Sequence, residues 1–541
     1  VGRQVAFEIC PPDELDTYIL KHYSEDLSDD GFQYKTINLD ESRQGDKTNI
    51  VPLAKALLRT AIEKRASDVH IQPFVGGGII RYRIDGVLVR IGTITSETLD
   101  TLARYYIIQA GGDTTKMMQT QDGRFRLIWQ QKEYDTRLSF LPSYGGMRIV
   151  ARLLDQNKDF SLSNSGFSSS TLQSMHRMLS NTAGMILLTG PTGSGKSTTL
   201  YAMLSEVNDI SRNIITIENP VEYRMPGLSQ VEVNPEVDLT FADVLRSCLR
   251  QDPDVILVGE IRDKETAEIA LQAASTGHLV LSTLHTNDAR GTIPRLLGLD
   301  VQASVLADTI IGIYSQRLTR KLCPHCRDKV TAPMTPGEKM FKQLTRIDPG
   351  YRAQGCSQCN FTGYHGRLPV VEILEINEPI RNAISKSAVD AEWLKHENPS
   401  KEKTLGGTAS RFIISGETTI SEAVRVIGNG FWADLAFEYQ TKPPTSIPVM
   451  ETDKGKNTAV LLYTHDQDFV QRMAAELKTL AIEVFSCTEA EQASELLHRH
   501  EEILFVVADL PDKSDDELLQ YVRHAREALY WSRLPALILL P

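Results

Sequence analysis

The chain has 541 residues, of which 41% are hydrophobic and 24% are charged, with 58 Lys and Arg against 70 Asp and Glu. This length and composition fit a globular protein of about three to five domains and exclude collagen, a coiled coil and wholesale disorder. The net charge of −12 disfavours a generic nucleic-acid binder, since such proteins gain affinity by neutralising phosphates. No apolar run approaches the roughly 18 to 20 residues of a membrane-spanning helix, so we expect a cytoplasmic protein without a membrane span.

The first 160 residues divide into a short N-terminal segment and a small α+β domain. Residues 1–45 contain one predicted strand (2–10) and one predicted helix (12–23), which cannot bury a core alone. We therefore expect the tail of a truncated domain followed by a linker. Over residues 46–160, helical spacing and strand alternation predict an α+β domain. Its predicted elements are helices 51–66 and 96–109 and strands 68–72, 78–84, 123–130 and 134–140.

From residue 161 the pattern changes to apolar strands that alternate with helices. Nearly continuous apolar strands separated by helices are typical of a parallel sheet covered on both faces. The sequence therefore predicts an α/β core over residues 161–322. The predicted strands of this core are 185–189, 213–217, 255–258 and 279–283.

Four further segments are expected after the core. They are a cysteine-containing module (323–366), a helical subdomain (367–430), a proline-containing linker (431–457) and a final βα pattern (458–541). The final pattern predicts a truncated doubly wound domain, because only four strands are found. Its predicted elements are strands 459–463, 483–486, 504–508 and 536–540 and helices 468–480 and 490–500.

The strongest motif follows the first core strand and opens a helix. It matches the phosphate-binding loop G-x-x-x-x-G-K-[ST], the Walker A motif. Glycines let backbone N–H groups wrap the phosphates, Lys196 neutralises the β/γ oxygens, and the Ser197 hydroxyl binds Mg²⁺. The motif predicts binding of ATP and Mg²⁺, and the alternative is a glycine-rich turn. The expected nucleotide-binding residues are Gly190, Pro191, Thr192, Gly193, Ser194, Gly195, Lys196, Ser197 and Thr198.

Acidic side chains at the ends of other strands supply the second half of such a site. A phosphate-binding loop needs a carboxylate on another strand to hold Mg²⁺ and align water. Glu260 is the predicted catalytic carboxylate, although a Glu at a strand end can also simply pair with Arg262. Glu218 and Glu222 are expected at the same carboxyl edge of the sheet. His285 follows another strand and either senses the γ-phosphate or is structural.

These motifs together resemble one family, the type II secretion and type IV pilus assembly ATPases (the GspE/PilB group). The resemblance spans about residues 66–426. It implies a RecA-like core preceded by a PAS-like N-terminal domain. Besides the phosphate-binding loop, the matching segments are the Asp box (216–222), an atypical Walker B motif (249–263), the His box (277–288) and N-terminal motifs at 66–71, 83–86 and 121–124.

The resemblance also implies how such a protein would work. The chain would form a homohexameric ATPase whose N-terminal domain swings over the nucleotide and which pushes pilin-like subunits through an inner-membrane platform protein. A recruiting membrane protein would hold it peripherally on the cytoplasmic face of the bacterial inner membrane. By motif position, Arg124 and Arg137 would reach the γ-phosphate as arginine fingers. Other arginines compete for that role: Arg81, Arg83, Arg148 and Arg152.

Two positions depart from the family pattern. Asn219 stands where the Asp box usually has Asp, and Met147 stands where a Glu is usual. Asn219 removes a negative charge near Mg²⁺, so the rate of hydrolysis could be lower than is usual in the family.

The sequence also leaves two alternative functions open. One is a nucleic-acid translocating ATPase with a zinc ribbon, and the other is a nucleotide-binding scaffold with little or no hydrolysis.

Four of the seven cysteines form two C-x-x-C pairs, Cys323/Cys326 and Cys356/Cys359. Four thiolates at this spacing close a tetrahedral Zn²⁺ site with no position left for water, so the predicted metal is structural. The alternative is four free thiols or a redox pair. A zinc ribbon can bind nucleic acid, but the same insertion occurs in the resembled family. The net negative charge of the chain also disfavours binding to nucleic acid. No nucleic-acid partner is therefore expected.

The final segment resembles a response-regulator receiver, a flavodoxin-like fold. Asp509 stands at the position of the phosphoacceptor. Phosphoryl transfer to that Asp needs a Mg²⁺ held by an acidic pair, and here Thr464 and His465 replace the pair, which leaves only Asp466. We therefore expect a degenerate receiver-like module for docking or regulation, and a phosphorylated switch is the alternative.

Overall fold

The structure is a computed structural model that describes residues 36–39, 50–234, 237, 239–331, 333–360, 362–447, 459–464, 466–479, 483–488, 492, 496, 503–509 and 536–539. It divides into two compact units, Val1–Asn157 and Lys158–Pro541. The strand predicted at 2–10, the helix predicted at 12–23 and most of the helix predicted at 490–500 lie outside the described residues. Within the described ranges, every helix is too short or too polar to cross a membrane.

The first unit is a seven-stranded sheet with two helices. Its strand order is β1-β5-β6-β7-β2-β3-β4, and only the β1–β5 pair is parallel. Strands β1, β4 and β7 have no counterpart among the predicted elements, and β1 joins this sheet although it lies in the expected linker. The strands are β1 Thr36–Asn38, β2 Ala66–Phe74, β3 Gly77–Ile84, β4 Val87–Thr95, β5 Gln121–Trp129, β6 Lys132–Ser143 and β7 Gly146–Asp155, and the helices are α1 Ile50–Glu63 and α2 Ser96–Gln109.

Both helices pack on the same face of this sheet. The Tyr82 hydroxyl donates a hydrogen bond of 2.6 Å to the Leu57 carbonyl, and the Tyr106 hydroxyl donates one of 2.9 Å to the Ala54 carbonyl. These buried bonds satisfy the phenol groups inside an apolar core. Polar residues alternate with the core residues along the strands and therefore face away from the helices.

The second unit contains the α/β core that the strand pattern predicts. Its sheet has the order β10-β9-β11-β12-β8-β13-β16, with all neighbouring strands parallel except β13 and β16. The strands are β8 Gly184–Thr189, β9 Ile214–Glu218, β10 Ser229–Glu232, β11 Val255–Val258, β12 Leu279–Leu284, β13 Ile310–Leu322 and β16 Tyr364–Glu375. The helices around it are α3 Ser169–Leu179, α4 Lys196–Val207, α5 Phe241–Cys248, α6 Lys264–Ser275, α7 Thr292–Leu297 and α8 Ala303–Thr309.

This sheet is covered on both faces. Ile256 of β11 packs in one core with Leu245 of α5, whereas the next residue, Leu257, packs in the other core with Leu200 of α4. A strand buried on both faces has to be apolar at every position, as the sequence of β11 is. The prediction of a parallel sheet between two helical layers is therefore confirmed for this part of the chain.

The cysteine module connects the last two strands of the sheet. It contains the two-stranded pair β14 Asp328–Lys329 and β15 Tyr351–Arg352 and the helix α9 Pro336–Thr345. Strand β16 then returns antiparallel to β13, so residues up to Glu375 belong to the sheet and not to the expected helical subdomain. The helices that follow are α10 Glu378–Ser385, α11 Ala391–Glu397, α12 Leu405–Ile414, α13 Ile420–Ile427 and α14 Gly430–Glu438.

Helix α14 corrects the expected linker at 431–457. Phe431 and Trp432 are fully buried in the apolar core of the C-terminal helices, and their burial outweighs the helix-breaking effect of the flanking glycines. The prolines that indicated a linker all follow this helix.

The end of the chain forms a separate parallel sheet. Its strand order is β18-β17-β19-β20, and helix α15 follows β17. The elements are β17 Ala459–Tyr463, α15 Gln467–Thr479, β18 Glu483–Cys487, β19 Ile503–Asp509 and β20 Ala536–Leu539.

Candidate nucleotide site and cysteine cluster

The strand order of the core brings the predicted site residues to one edge of the sheet. The phosphate-binding loop follows β8, His285 follows the neighbouring strand β12, and Glu260 follows β11 on the far side of β12. All three strands are parallel, so their carboxyl ends meet at the same edge. This is where ligands of open α/β sheets bind.

The tip of the phosphate-binding loop is exposed to solvent. Pro191, Thr192 and Gly193 are exposed, and Ser197 and Thr198 are half-buried at the start of helix α4. Gly195 lies in the left-handed region, with φ of 89°, where a side chain is disfavoured. A Cβ at this position would also lie 2.8 Å from the Gln316 side-chain nitrogen.

Lys196 folds back onto its own loop. Its ammonium group donates hydrogen bonds to the carbonyl oxygens of Gly190 (2.8 Å) and Pro191 (3.3 Å). Burial lowers the pKa of Lys196, and nearby Glu260 and Glu222 partly oppose that shift.

Glu260 is held between two basic side chains. Its carboxylate lies 2.5 Å from the Arg262 guanidinium and 3.6 Å from Nε2 of His285. The Glu260 side chain is only 14% exposed, whereas Arg262 is 70% exposed. The predicted ion pair with Arg262 therefore exists, but it involves one carboxylate oxygen, Oε1, and His285 lies nearer the other, Oε2.

The Glu218 carboxylate is used in hydrogen bonds within the fold, which its position in the sequence does not indicate. Its buried carboxylate accepts hydrogen bonds from the hydroxyls of Tyr201 and Thr216, the latter at 2.6 Å, and from the Gln230 side chain at 3.2 Å. Burial and Glu218 together raise the pKa of Tyr201, which keeps that hydroxyl a donor. Both carboxylate oxygens of Glu218 are thus engaged by neutral groups of its own unit.

Glu222 and Asn219 lie in the loop after β9. Glu222 is half-buried and close enough to raise the pKa of Lys196, whereas Asn219 is exposed. Of the three predicted carboxylates, Glu260 and Glu222 therefore act electrostatically on Lys196, and Glu218 shapes the loop beneath them.

Strand β13 contributes two residues that sequence patterns do not reveal. Gln316 accepts a hydrogen bond from Thr199 at 2.9 Å and donates one of 2.8 Å to the Ser194 carbonyl, so it clamps the loop to helix α4. Its neighbour Arg317 donates to the Asn287 carbonyl at 2.6 Å. The segment Ser315-Gln316-Arg317 matches no motif, and the only signal is its place on a strand beside β8.

Arg124 and Arg137 lie in the first unit on neighbouring strands. They are directly opposite each other in the β5–β6 pair and are both half-buried. Arg137 lies 3.7 Å from Asp135. Their assignment as arginine fingers stays a prediction.

The four cysteines of the two C-x-x-C pairs converge as predicted. All four Sγ atoms lie within 4.8 Å of one another, and the Cys323–Cys356, Cys326–Cys359 and Cys356–Cys359 distances are each 3.8 Å. A tetrahedral site with Zn–S bonds of about 2.3 Å places its sulfurs about 3.8 Å apart. The donor set and its geometry therefore fit Zn²⁺, and no histidine joins this cluster among the described residues.

Comparison with known proteins shows which family this chain resembles. The family model described as type II/IV secretion system protein matches residues 43–425. The type II secretion system ATPase E of Vibrio cholerae is 40% identical over 72% of this chain and 77% of its own length. The putative type II secretion system protein E of Escherichia coli is 42% identical over 72% of this chain and 79% of its own.

A solved structure shares the fold. The ATPase DotB of Legionella pneumophila superposes with a TM-score of 0.52 and 21% identity, covering 72% of this chain and 98% of that one. The matched model covers the phosphate-binding loop, Glu260, His285 and all four cysteines of the cluster. The chain therefore belongs to the type II/IV secretion system protein family and is a secretion ATPase.

Proposed function

We propose that this chain hydrolyses ATP at the edge formed by β8, β11 and β12, and that it works as the hexameric motor of a type II secretion or type IV pilus machine. The observation that carries the chemistry is the position of Glu260. It is a largely buried carboxylate that contacts His285 and acts electrostatically on Lys196 of the phosphate-binding loop.

Each residue of the site has a separate task. The backbone N–H groups of the loop and Lys196 bind the phosphates of ATP. The Ser197 hydroxyl and the nearby carboxylates are hard oxygen ligands of the kind Mg²⁺ takes, and bound Mg²⁺ would neutralise charge on the β- and γ-phosphates. Glu260 orients the attacking water and accepts its proton, and His285 keeps the Glu260 carboxylate in place.

Glu218 and Glu222 support the site in different ways. We assign Glu218 to positioning, because its hydrogen bonds to Tyr201 and Thr216 hold the end of β9 in the sheet. Glu222 supplies negative charge near Lys196. Asn219 leaves this edge one charge short of the family pattern, so a moderate turnover is expected.

We assign the arginine fingers to the polar face of the first unit. Arg124 on β5 lies opposite Arg137 on β6, and Arg137 lies opposite Arg152 on β7. The three arginines therefore form a row across these strands. Arg152 is anchored by Asp68 at 3.1 Å. This row supports Arg124 and Arg137 as the cations that stabilise the transferred phosphoryl group, each from its own subunit or a neighbouring one. The α+β architecture of the unit agrees with the PAS-like assignment.

The motor role of the chain follows from its family. Chains of this type would assemble as a homohexamer on the cytoplasmic face of the inner membrane, bound to a platform protein and held by a recruiting membrane protein. The expected domains are the N-terminal α+β domain (46–160), the RecA-like core (161–322), the zinc module (323–366), a helical subdomain that begins after β16 and includes helix α14, and the receiver-like domain (458–541).

The zinc module has a structural role in this proposal. The backbone amides of Gly355 and Gly363 donate hydrogen bonds of 3.3 Å to the sulfurs of Cys326 and Cys359, which is the arrangement that stabilises thiolate ligands. Bound Zn²⁺ would fix the loops between β13 and β16, and no catalytic step depends on it.

The last sheet supports a degenerate receiver-like domain. Its order β18-β17-β19-β20 is the order 2-1-3-4 with which a flavodoxin-like sheet begins. Asp466 accepts hydrogen bonds from the backbone amides of Asp468 (2.9 Å) and Phe469 (3.0 Å), so its carboxylate caps helix α15. The remaining acid of the expected metal pair is thus used for capping, which favours a docking module over a phosphorylated switch.

The proposal is tested by ATP hydrolysis in the assembled protein. Purified full-length chain should release phosphate from ATP in the presence of Mg²⁺, and DNA should not change the rate. Stimulation by DNA would instead favour a nucleic-acid translocase, and nucleotide binding without phosphate release would favour a scaffold.

A further inference from the structure

Arg317 lies beside the phosphate-binding loop although no motif marks it. Strand β13 runs parallel to β8 with Ser315 opposite Thr189, so Arg317 lies beyond the end of β8, level with the loop. Its Nη1 atom is 3.1 Å from the point where a Cβ on Gly190 would lie. A side chain at position 190 would therefore crowd this guanidinium.

The guanidinium also touches the loop that carries His285. Its Nη2 atom donates a hydrogen bond of 2.6 Å to the Asn287 carbonyl, and its Nη1 atom donates one of 3.1 Å to the Gln316 carbonyl. His285 in turn contacts Glu260. Arg317 therefore stands between the loop that binds phosphates and the residues that act on the attacking water.

The charge of Arg317 has no close counter-ion. Among the described residues, no carboxylate oxygen lies within 4.0 Å of its guanidinium, and Asp288 and Glu372 act on it only from farther away. Burial lowers the pKa of Arg317, and Arg317 contributes to the lowered pKa of Lys196. Lys196 and Arg317 are thus two half-buried cations close to Gly190 that repel each other, and an anion bound near both would relieve this repulsion.

We propose that Arg317 contacts the terminal phosphate of bound nucleoside triphosphate from the same chain, on the side opposite Lys196. The inference rests on the proposed function, because it requires the loop to bind a triphosphate. Lys196 reaches the β/γ oxygens, and Arg317 adds a second cation at the γ end, where Glu260 and His285 lie. A diphosphate lacks the group that Arg317 contacts, so Arg317 distinguishes ATP from ADP.

The competing explanation is that Arg317 is only a structural tie between Gln316 and Asn287. A tie would hold the loop equally for any nucleotide, so its loss would weaken ADP and ATP binding to a similar extent. A phosphate contact would weaken only the triphosphate and would slow turnover. The comparison of two nucleotides therefore separates the two roles.

The experiment uses the full-length chain with Arg317→Gln, Arg317→Lys and the control Lys321→Gln. Lys321 lies on the same strand and is 47% exposed at 3.8 Å from Glu417. Affinities for Mg·ADP and for a non-hydrolysable ATP analogue are measured by fluorescence competition, and phosphate release gives kcat. Thermal melting reports folding of each variant.

Arg317→Gln should leave ADP affinity within about threefold, weaken binding of the ATP analogue about ten- to hundredfold and lower kcat. Arg317→Lys should restore part of both losses, because the charge is kept, and Lys321→Gln should match the parental chain. Equal weakening of ADP and analogue would overturn the proposal, as would parental kcat in Arg317→Gln. Should the glutamine variant fail to fold, Arg317→Lys decides: a selective loss for the ATP analogue supports the contact, and no selectivity refutes it. Absence of hydrolysis in the parental chain would instead refute the proposed function.

Discussion

Replacement of Glu260 by glutamine should stop catalysis while leaving nucleotide binding in place. Glutamine has nearly the same size and keeps a side-chain oxygen that can face His285, but it cannot take a proton from water. The phosphate-binding loop and Lys196 are unchanged, and within the described part of the chain the ion pairs lost are those with Arg262 and His285. The variant should therefore bind ATP with an affinity close to that of the parental chain.

The expected size of the effect follows from the geometry. Loss of a positioned general base lowers rates by about 10² to 10⁴, or about 2.7 to 5.4 kcal/mol in activation free energy. The Arg262 side chain is 70% exposed, so its pair with Glu260 contributes only about 0 to 1 kcal/mol to stability. A small loss of folding stability thus cannot explain a hundredfold loss of turnover.

Steady-state phosphate release at saturating Mg·ATP measures the rate, and fluorescent-nucleotide titration measures binding. The matched control is Glu268→Gln in helix α6, a 53% exposed carboxylate that lies 3.8 Å from Lys264. The control should hydrolyse ATP at the parental rate. A Glu260→Gln chain that also hydrolyses at the parental rate would remove Glu260 from the mechanism.

Three further outcomes are expected. If arginines such as Arg137 act on a neighbouring subunit, the specific ATPase rate should fall on dilution below the assembly concentration, and a rate independent of concentration would contradict shared sites. A chelator that removes zinc should unfold the module at 323–366, seen as thiol reactivity, and leave nucleotide affinity largely intact; reactive thiols before chelation would argue against bound zinc. Burial raises the pKa of Glu372 to about 8, despite Arg290 at 3.2 Å. The unfolded chain loses this proton near pH 4.5 and the folded chain only near pH 8, so stability should decline with rising pH between these values, by at most about 1.4 kcal/mol per unit. Glu372→Gln should flatten this slope in thermal melts, and an unchanged slope would refute the assignment.

The residues of the phosphate-binding loop and the cysteine pairs could be identified from the sequence because each is a local pattern. Glycines at positions 190, 193 and 195 are needed where the backbone takes positive φ, and that requirement is written into neighbouring residues. The same holds for the core strands, whose continuous apolar runs reflect burial on both faces. Glu260 could be placed because it directly follows such a strand.

Contacts between strands that are far apart in the sequence could not be predicted from local patterns. Gln316 and Arg317 meet the phosphate-binding loop only because β13 pairs with β8, more than 100 residues earlier in the chain. The hydrogen bonds of Glu218 likewise come from side chains on α4 and β10. A residue's position at the end of a strand predicts the edge of the sheet at which it lies. It does not predict which side chains form hydrogen bonds with it there.

Helix α14 shows a different limit. Glycines and prolines around residues 428–448 indicate a linker, and composition cannot show that Phe431 and Trp432 have an apolar core to enter. That core is formed by helices α9, α12 and α13 and strand β16, which packing brings together. Burial of two large aromatic side chains then decides the local structure.

Phosphate release by the purified full-length chain, compared with its Lys196→Ala variant, tests the central claim most directly. Lys196 is the cation of the phosphate-binding loop, and its ammonium group lies against the loop carbonyls that frame the site. The parental chain should release phosphate from Mg·ATP, and the variant should neither bind nor hydrolyse the nucleotide. ATP left intact by the assembled parental chain, or equal turnover by the variant, would contradict the assignment of this site.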